Sequence, residues 1–366
     1  MGTLILYLTV MFVCMGLSYW SKKYKTKAGL YMAYLILILI SVFRFDIGND
    51  YDGYVTNING YASLFRMGNP ITLFSIGSVE PLMYFLSYIF QNTTHPYFWV
   101  IGIHAIIVLF FLYKTFEYND CHVTGIMILF LSGMLFFCWD GTRQGVAISI
   151  FLYATKYVKE NNFPKYLLFI FFAFMAHYSS VFLLPCYFLN KIKTRKYIFI
   201  AIIMTLAIAN VVTNYYDWLY VNIIKYVPYF DTNSTSIALL QIDSLGYKIR
   251  IIFYSIVWST TIFFLPDKDR ALSNFLFLGA IIFILACGAL NIMRIGLYFT
   301  FSMTLSIPIV LKVQKARFIM LIMVFGLFLF FVRDIITNTN TRGCVPYESI
   351  FSDKFEGQFF RDPIYE

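Results

Sequence analysis

Solid blocks of apolar residues, joined by short polar connections, follow one another through almost all of this 366-residue chain. A membrane-spanning α-helix needs about 20 apolar residues and satisfies its backbone polar groups internally. The alternation over about 10 residues that is typical of a membrane β-barrel does not occur in the sequence. We therefore predict an all-α polytopic membrane protein. The blocks lie at approximately 3–20, 28–43, 79–92, 96–113, 123–138, 143–158, 164–176, 178–190, 197–213, 249–265, 272–290, 293–311 and 317–335.

The composition agrees with burial in a bilayer. Hydrophobic residues make up 60% of the chain and charged residues 13%, and the mean hydropathy is +0.72. A soluble domain carries about 25% charged residues and cannot hide so much apolar surface from water. The net charge of +9 does not indicate nucleic-acid binding, because Lys and Arg lie in short clusters between the blocks. No basic domain is left to bind a duplex.

The cysteines and the known short motifs predict neither a metal nor a cofactor. The six cysteines form no Cys-x-x-Cys pair, and most lie in or beside apolar blocks, as buried structural cysteines do. The sequence contains no Walker motif, no metal-ligand spacing and no dinucleotide fingerprint. The first block, 3–20, is followed by lysines, which is the reverse of the charge order in a signal peptide. We predict that it is a retained first helix.

The basic clusters predict the topology, because Lys and Arg concentrate in cytoplasmic loops. These clusters lie at 22–27, 156–165, 191–196 and 312–317. With all of them in the cytoplasm, a single transmembrane domain, 1–366, has external loops at about 45–78 and 214–247. Its tail, from about 338 to 366, is also external.

Two regions are too short for ordinary spans. Residues 164–190 lie between two cytoplasmic clusters, so they must cross an even number of times, with about 13 residues or about 20 Å of helix for each arm. We predict a short-armed hairpin with His177 at its turn, and one long tilted helix is the alternative. Parity also requires that either 79–92 or 96–113 does not span fully, and the shorter block 79–92 is the better candidate. The count is then about 12 transmembrane helices plus short re-entrant helices.

Charged residues at helix ends in a membrane protein are functional candidates, because burying them is costly. Asp46, Asp50 and Asp52 follow Arg44 at the start of the first external loop, where Tyr51 and Tyr54 also lie. This stretch is either an ordinary solvated loop or a sugar-binding surface of carboxylates and aromatic rings. Glu80, just before Pro81, is either a helix start or a carboxylate held at the membrane surface.

Two arginines and one histidine complete the candidates. Asp140 can cap the helix that follows it, and Arg143 then lies in the first turn, where the helix dipole disfavours a cation. A pyrophosphate would explain this arginine, and pairing with Asp140 or snorkelling would also do so. His177 is the only polar break in a long apolar run, and it is either structural or a general base. Arg294 lies at the external end of a helix pair and is a second phosphate-binding candidate. Under one topology, all these groups face outwards.

Several motifs, taken in order along the chain, resemble a known family. They are Arg44-x-x-x-Gly48-x-Asp50-Tyr51-x-x-Tyr54, Glu80-Pro81-Leu82, Arg143-Gln144-x-x-Ala147, His177-x-Ser179, Arg294-x-x-x-Tyr298 and Pro346-Tyr347-x-Ser349-Ile350-Phe351. Together they resemble the EpsG/Wzy polymerases of O-antigen and capsule synthesis. The resemblance implies a GT-C-like fold in the bacterial inner (cytoplasmic) membrane, with the active site facing the periplasm or exterior. It also implies independence from metals and nucleotide sugars.

The resemblance further implies a reaction and roles for residues. The growing glycan would move from undecaprenyl pyrophosphate to the non-reducing end of another lipid-linked repeat, so this oligosaccharide is both donor and acceptor. A chain-length regulator is a further expected partner. The implied pyrophosphate-binding residues are Arg143, Arg294 and, as a third candidate, Arg44. The candidates for deprotonating or orienting the acceptor hydroxyl are His177, Asp50, Asp52 and Glu80. The implied sugar-binding residues are Tyr51, Tyr54, Gln144 and Tyr298.

Three other functions are compatible with parts of this pattern. An O-antigen ligase-type glycosyltransferase would share the fold class, although ligases typically carry a larger external loop. A lipid-linked oligosaccharide flippase or transporter would usually show internal repeats and broken helices at the midplane, and the sequence shows no repeat. A membrane acyltransferase would also use His and Arg, but its acyl donor enters from the cytoplasm.

Overall fold

The computed structural model describes residues 2–68, 79–193, 195–212, 245–286 and 290–352, and in this part of the chain the regular secondary structure is helical, apart from one isolated β-bridge. The α-helices, in chain order, are α1 (Gly2–Lys23), α2 (Ala28–Val42), α3 (Tyr51–Arg66), α4 (Pro81–Phe90), α5 (Pro96–Tyr118), α6 (His122–Leu131), α7 (Met134–Asp140), α8 (Thr142–Lys159), α9 (Phe163–Ala176), α10 (Lys196–Val212), α11 (Leu245–Phe264), α12 (Arg270–Ala286), α13 (Leu290–Thr300), α14 (Met303–Leu311) and α15 (Gln314–Thr337). Two 3-10 segments, Tyr178–Lys191 and Asp267–Asp269, lie between them.

The chain forms two compact units. The first comprises Met1–Lys156, Pro164–Leu184 and Phe325–Glu366, and the second comprises Tyr157–Phe163 and Pro185–Val324. The predicted external loop 214–247 falls mostly outside the described residues, as does the end of the predicted tail.

The helices confirm a membrane protein. Five of the described helical stretches are long and apolar enough to cross a bilayer, and a sixth arises if the bent pair α6–α7 counts as one span. These five are Gly2–Lys23, Pro96–Tyr118, Asp267–Ala286, Ile292–Leu311 and Gln314–Thr337. Four further apolar helices, α2, α4, α9 and α10, are shorter. The count of about 12 spans and the GT-C-like fold therefore stay predictions.

The bend between α6 and α7 has a local cause. The two helices meet at 62°, and Gly133 between them adopts a left-handed conformation with φ of 72°. Glycine reaches this region without the steric cost that a Cβ atom imposes. Helix α6 therefore ends at Leu131, and α7 runs in a new direction. Its last residue, Asp140, lies close to the start of α8.

The predicted hairpin around His177 is confirmed, and its second arm is longer than an α-helix with the same number of residues would be. Helix α9 ends at Ala176, and the 14 residues of Tyr178–Lys191 continue as a 3-10 segment. In the first unit, the Tyr166 hydroxyl donates to the Leu183 carbonyl at 2.6 Å, so the second arm runs back along the first. A 3-10 segment rises about 2.0 Å per residue, so 14 residues extend over about 28 Å.

The predicted external loop 45–78 contains a helix that the sequence reasoning missed. Residues 51–66 form α3, whose Tyr51, Tyr54, Ile58 and Ala62 are buried at helical spacing. This face packs on α4 and on the start of α5, where Met83, Leu86, Val100 and Ile101 are buried in the same cluster. Helix α4 has only 10 residues, or about 15 Å, so it is too short to span, as predicted for 79–92.

In the second unit, helices α12 and α13 approach each other closely because each presents a glycine. A Cβ atom on Gly279 would lie 2.7 Å from the backbone nitrogen of Thr300, and one on Gly296 would lie 3.1 Å from Ile282. Small residues allow such backbone approach between membrane helices. Two ion pairs also lie within this unit, of Lys159 with Asp269 at 2.6 Å and of Lys196 with Asp267 at 3.3 Å.

Residues 342–350, called here the closing segment, pair with the loop that precedes α3. The Gly48 N–H donates to the Gly343 carbonyl at 3.1 Å, and the Asn49 N–H donates to the Arg342 carbonyl at 3.2 Å. Further along, the Phe45 N–H donates to the Glu348 carbonyl at 3.1 Å. The predicted first external loop and the start of the predicted tail therefore lie together, as two segments on one side of a membrane can.

Gly48 is the tightest point of this pairing. Its φ of 108° lies in the region that favours glycine, and a Cβ atom would meet the Cα atom of Asp140 at 2.9 Å. A side chain here would strain the backbone and push the loop away from the α7–α8 junction. The glycine is thus required by both conformation and space.

We expect Gly48→Ala to destabilise the protein by about 2 kcal/mol or more, because a left-handed conformation alone costs a non-glycine residue about 1–2 kcal/mol. The measurement is the thermal unfolding midpoint of the purified protein in detergent. Gly60→Ala is the matched control, because Gly60 lies within α3 with open space around its missing Cβ. Equal midpoints for the two variants would contradict the role of Gly48.

Candidate active site at the Glu80 carboxylate

Glu80 is placed by the proline that follows it. A residue before proline favours extended backbone, and Glu80 has φ of −70° and ψ of 140°. Pro81 then opens α4 at a position where its missing N–H is not needed. The Glu80 side chain makes no capping hydrogen bond to α4. Its carboxylate, although only 5% exposed, is thus directed to partners elsewhere in the chain.

Two side chains from distant parts of the chain share this carboxylate. The Nδ1 atom of His177 lies 2.7 Å from Oε1 of Glu80, and Arg143 donates from Nη1 to Oε2. The side chains of His177 and Arg143 are 25% and 29% exposed, so both reach from the buried carboxylate towards the surface. Because an ionised carboxylate only accepts hydrogen bonds, Nδ1 of His177 carries the proton of this bond. The other ring nitrogen, Nε2, is then the one that can take a proton from a ligand.

The carboxylate is held in its charged form. Burial alone would raise the pKa of Glu80, but the hydrogen bond with His177 and the positive charge of Arg143 outweigh it and lower that pKa below its ordinary value. A carboxylate with a lowered pKa is a weak base. Glu80 is therefore better suited to orienting His177 and Arg143 than to taking a proton itself.

Tyrosine side chains lie near the two partly exposed partners. The guanidinium carbon of Arg143 lies 5.3 Å from the centre of the Tyr54 ring, within the range of a cation–π interaction. The Tyr178 hydroxyl donates to the Val79 carbonyl at 2.8 Å and so ties the residue after His177 to the residue before Glu80. We call Glu80, Arg143, His177 and Tyr54 the Glu80 cluster.

Tyr61 is a further neighbour that the sequence reasoning missed. It is half-buried within electrostatic range of Arg143 and Glu80, and burial raises the pKa of its hydroxyl. Its position follows from α3, since Tyr54 and Tyr61 are seven residues apart and share one helix face. Recognition of α3 as a helix would have revealed it.

Two expectations about Asp140 and Arg143 are wrong. Asp140 does not cap α8, because it is the last residue of α7 and Gly141 separates it from α8. Arg143 pairs with Glu80, whereas Asp140 accepts from the Asp50 N–H at 3.2 Å and from Arg342 at 3.4 Å. The negative charge that compensates Arg143 in the first turn of α8 thus comes from Glu80, the residue just before α4, which is 63 residues away.

Arg44 lies beside these residues but faces the protein. It is 2% exposed, and burial lowers the pKa of its guanidinium. Its Nη2 atom donates to the Trp139 carbonyl at 3.5 Å and to the Thr142 hydroxyl at 3.4 Å. Nη1 donates to the Ser41 carbonyl. In this arrangement Arg44 joins the end of α2 to the α7–α8 junction, and its binding of pyrophosphate stays a prediction.

The remaining predicted residues occupy different surroundings. Asp52 is exposed in the first turn of α3, and Asp50 is half-buried just before this helix. Tyr51 and Gln144 are buried, at 5% and 4% exposure. Arg294 is exposed on α13, whereas Tyr298 on the same helix is 1% exposed, and both belong to the second unit. Their roles stay predictions.

The described residues contain no group of three or more His, Cys, Asp or Glu side chains arranged to hold a metal ion. The Glu80 cluster itself offers an oriented imidazole, a guanidinium and aromatic rings. These groups can take a proton from a hydroxyl and can bind an anion such as phosphate.

The lowered pKa of Glu80 predicts a pH-dependent contribution to stability. A carboxyl group with a depressed pKa stabilises the fold above its unfolded value of about 4.3, and this contribution is lost as the pH falls through the folded value. We expect wild type to have a higher unfolding midpoint than Glu80→Gln at pH 7, with a smaller difference in acid. A difference that is the same at pH 7 and pH 3.5 would contradict this assignment.

Comparison with known proteins gives one match. No curated protein and no solved structure matches the chain. The model of the EpsG family matches residues 27–349, a range that includes every predicted site residue and most of the closing segment. The family expected from the motifs is thus confirmed, and this membrane protein belongs to the EpsG family.

Proposed function

We propose that the protein is a membrane glycosyltransferase that polymerises lipid-linked oligosaccharide repeats for O-antigen or capsular polysaccharide. Donor and acceptor are both oligosaccharides on undecaprenyl pyrophosphate, and the site faces the external side of the bacterial inner membrane. Membership of the EpsG family and the shared Glu80 carboxylate support this proposal. The observation that carries it is that one buried carboxylate orients both an imidazole and a guanidinium.

The protein must contribute two groups to the reaction, a base and a positive charge. A hydroxyl oxygen of the acceptor sugar attacks C1 of the donor glycan, and the bond from C1 to the pyrophosphate oxygen breaks. The hydroxyl proton passes to a base, and undecaprenyl pyrophosphate leaves with the bonding electron pair. A general base and a fixed positive charge at the leaving group therefore both lower the barrier.

His177 is the base in this proposal. Glu80 holds Nδ1 of the imidazole at 2.7 Å, and this leaves Nε2 as the acceptor for the sugar hydroxyl proton. Serine hydrolases use a histidine–carboxylate pair in the same way. There the carboxylate fixes the tautomer of the histidine and stabilises the imidazolium that forms. Asp50 and Asp52, at the start of α3, then bind acceptor hydroxyls and are not needed as bases.

Arg143 binds the leaving pyrophosphate. A guanidinium carries five N–H donors in a planar fork, so it can keep Glu80 and still contact phosphate oxygens. The contact with the Tyr54 ring limits its movement. The resemblance also implies pyrophosphate binding by Arg294 and sugar binding by Tyr298, which belong to the second unit, and sugar binding by Tyr51 and Gln144; these roles stay predictions. Arg44 is assigned a positioning role, because its guanidinium is buried and its two terminal nitrogens donate to Ser41, Trp139 and Thr142.

The proposal extends to fold and partners. A GT-C-like arrangement of about 12 spans would place the cluster at the external surface, and a chain-length regulator would limit the polymer. The reaction needs neither a metal nor a nucleotide sugar, because the pyrophosphate ester is already activated.

The first test supplies purified protein with undecaprenyl-pyrophosphate-linked repeats from the host pathway and follows a glycan ladder on a gel. We expect Arg143→Ala to lower the rate about 100-fold or more, since loss of one group that stabilises the developing charge costs about 10²–10³ in rate. Arg66→Ala is the control, because Arg66 is exposed at the end of α3 and donates to Ser63 and Gln91, outside the Glu80 cluster.

A ladder that survives Arg143→Ala would contradict the role of Arg143. Transfer of a single glycan to another lipid would instead identify a ligase-type enzyme. Movement of the lipid across a vesicle membrane without any new glycosidic bond would overturn the enzyme proposal in favour of a flippase.

A second test separates the orienting role of Glu80 from that of a base. We expect Glu80→Gln to reduce the rate about 100-fold while a pH-dependent limb of kcat/KM persists, because the base itself, His177, is still present. His177→Gln should remove this limb. Persistence of the limb in His177→Gln and its loss in Glu80→Gln would show that Glu80 itself takes the proton.

A further inference from the structure

A groove between α2 and α5 stands apart from the Glu80 cluster. It has a volume of about 620 Å³, which is within the range of about 300–1,000 Å³ that is typical of small-molecule sites. Its apolar part is lined by Leu35 and Ile38 of α2 and by Ile106, Leu109 and Phe110 of α5. Leu35 and Phe110 are 53% and 52% exposed, so the groove opens at the surface of a helix that can span the bilayer.

One end of the groove is basic. Lys27 and Lys114 line it, and their Nζ atoms lie 3.1 and 3.3 Å from the two oxygens of Glu117. Two ammonium groups therefore share one carboxylate, which leaves one net positive charge. Each ammonium has three donors, so both can contact a further anion without leaving Glu117.

Three tyrosines indicate where the basic end of the groove lies in the bilayer. Tyr31 and Tyr34 of α2 lie against Tyr113 of α5, with ring centres 6.3 and 5.0 Å apart, and all three line the groove between its apolar part and the lysines. Tyrosine and tryptophan concentrate at the boundary between the acyl chains and the headgroups. The lysines then lie at headgroup level. The positive-inside pattern assigns this level to the cytoplasmic leaflet, since Lys27 belongs to the basic cluster 22–27.

We propose that this groove binds an anionic phospholipid of the cytoplasmic leaflet, with an acyl chain along Leu35 and Phe110 and the phosphate between Lys27 and Lys114. Basic pockets between membrane helices on the cytoplasmic side suit acidic headgroups. A free phosphate would leave the apolar groove unused, and a lipid without net charge would not use the lysines. The groove is not the site of the substrate lipid, whose pyrophosphate would lie at the Glu80 cluster in the proposed reaction. Lys114 is about 20 Å along α5 from Ile101, which packs beside the α3 face of that cluster.

The test titrates purified protein with phosphatidylglycerol or phosphatidylcholine of identical acyl chains and counts bound lipids by native mass spectrometry. We expect wild type to prefer phosphatidylglycerol about fivefold or more, because each basic residue near the headgroups adds to anionic-lipid affinity. Lys27→Gln/Lys114→Gln should abolish the preference. The control Lys22→Gln should keep it, since Lys22 pairs with Asp120 and does not line the groove.

Two further variants keep the test decisive if the double variant fails to fold. Glu117→Gln should strengthen phosphatidylglycerol binding, because it removes the carboxylate that competes with the phosphate. Leu35→Trp should weaken it by filling the groove while both lysines remain. The proposal is overturned if wild type shows no preference, if Glu117→Gln weakens binding, or if undecaprenyl phosphate displaces phosphatidylglycerol from the site.

Discussion

The buried, ionised carboxylate of Glu80 is the interaction on which the candidate site depends. At 5% exposure it has lost most of its hydration, a loss that costs several kcal/mol unless other groups replace the water. His177 and Arg143 each take one oxygen, so the replacement is complete only when both are present. The same two contacts fix which ring nitrogen of His177 is available and in which direction Arg143 extends. Stability and chemical readiness therefore depend on the same hydrogen bonds.

Features that are unfavourable alone become compatible around this carboxylate. Arg143 occupies the positive end of α8, where a cation is disfavoured, and Glu80 supplies the missing negative charge. His177 follows the last residue of α9, where the chain changes from an α-helix to a 3-10 segment. Local irregularities of this kind are expected at functional sites, because the surrounding structure compensates them.

The sequence predicted those features that depend on local pattern. The helical class, the helix start after Glu80, the short α4 and the hairpin around His177 all follow from block length and proline position. The partners did not follow, because Glu80 is 63 residues from Arg143 and 97 from His177, and Asp140 is 202 from Arg342. No local spacing encodes such pairs. Helix α3 was missed because its apolar residues form one narrow face in a polar stretch, and a search for solid blocks passes over it.

The pairing of the closing segment with the Gly48 loop has a consequence for biogenesis. This loop follows the second helix and is made early, whereas its hydrogen-bonding partners at Arg342 and Gly343 follow α15, the last helix that the structure describes. During synthesis the loop therefore lacks these contacts until nearly the whole chain has entered the membrane. The Asp140 carboxylate likewise receives its guanidinium only at that stage. Folding of this loop is thereby coupled to completion of translation, because a chain that stops before the end of α15 lacks the segment with which the loop forms its hydrogen bonds.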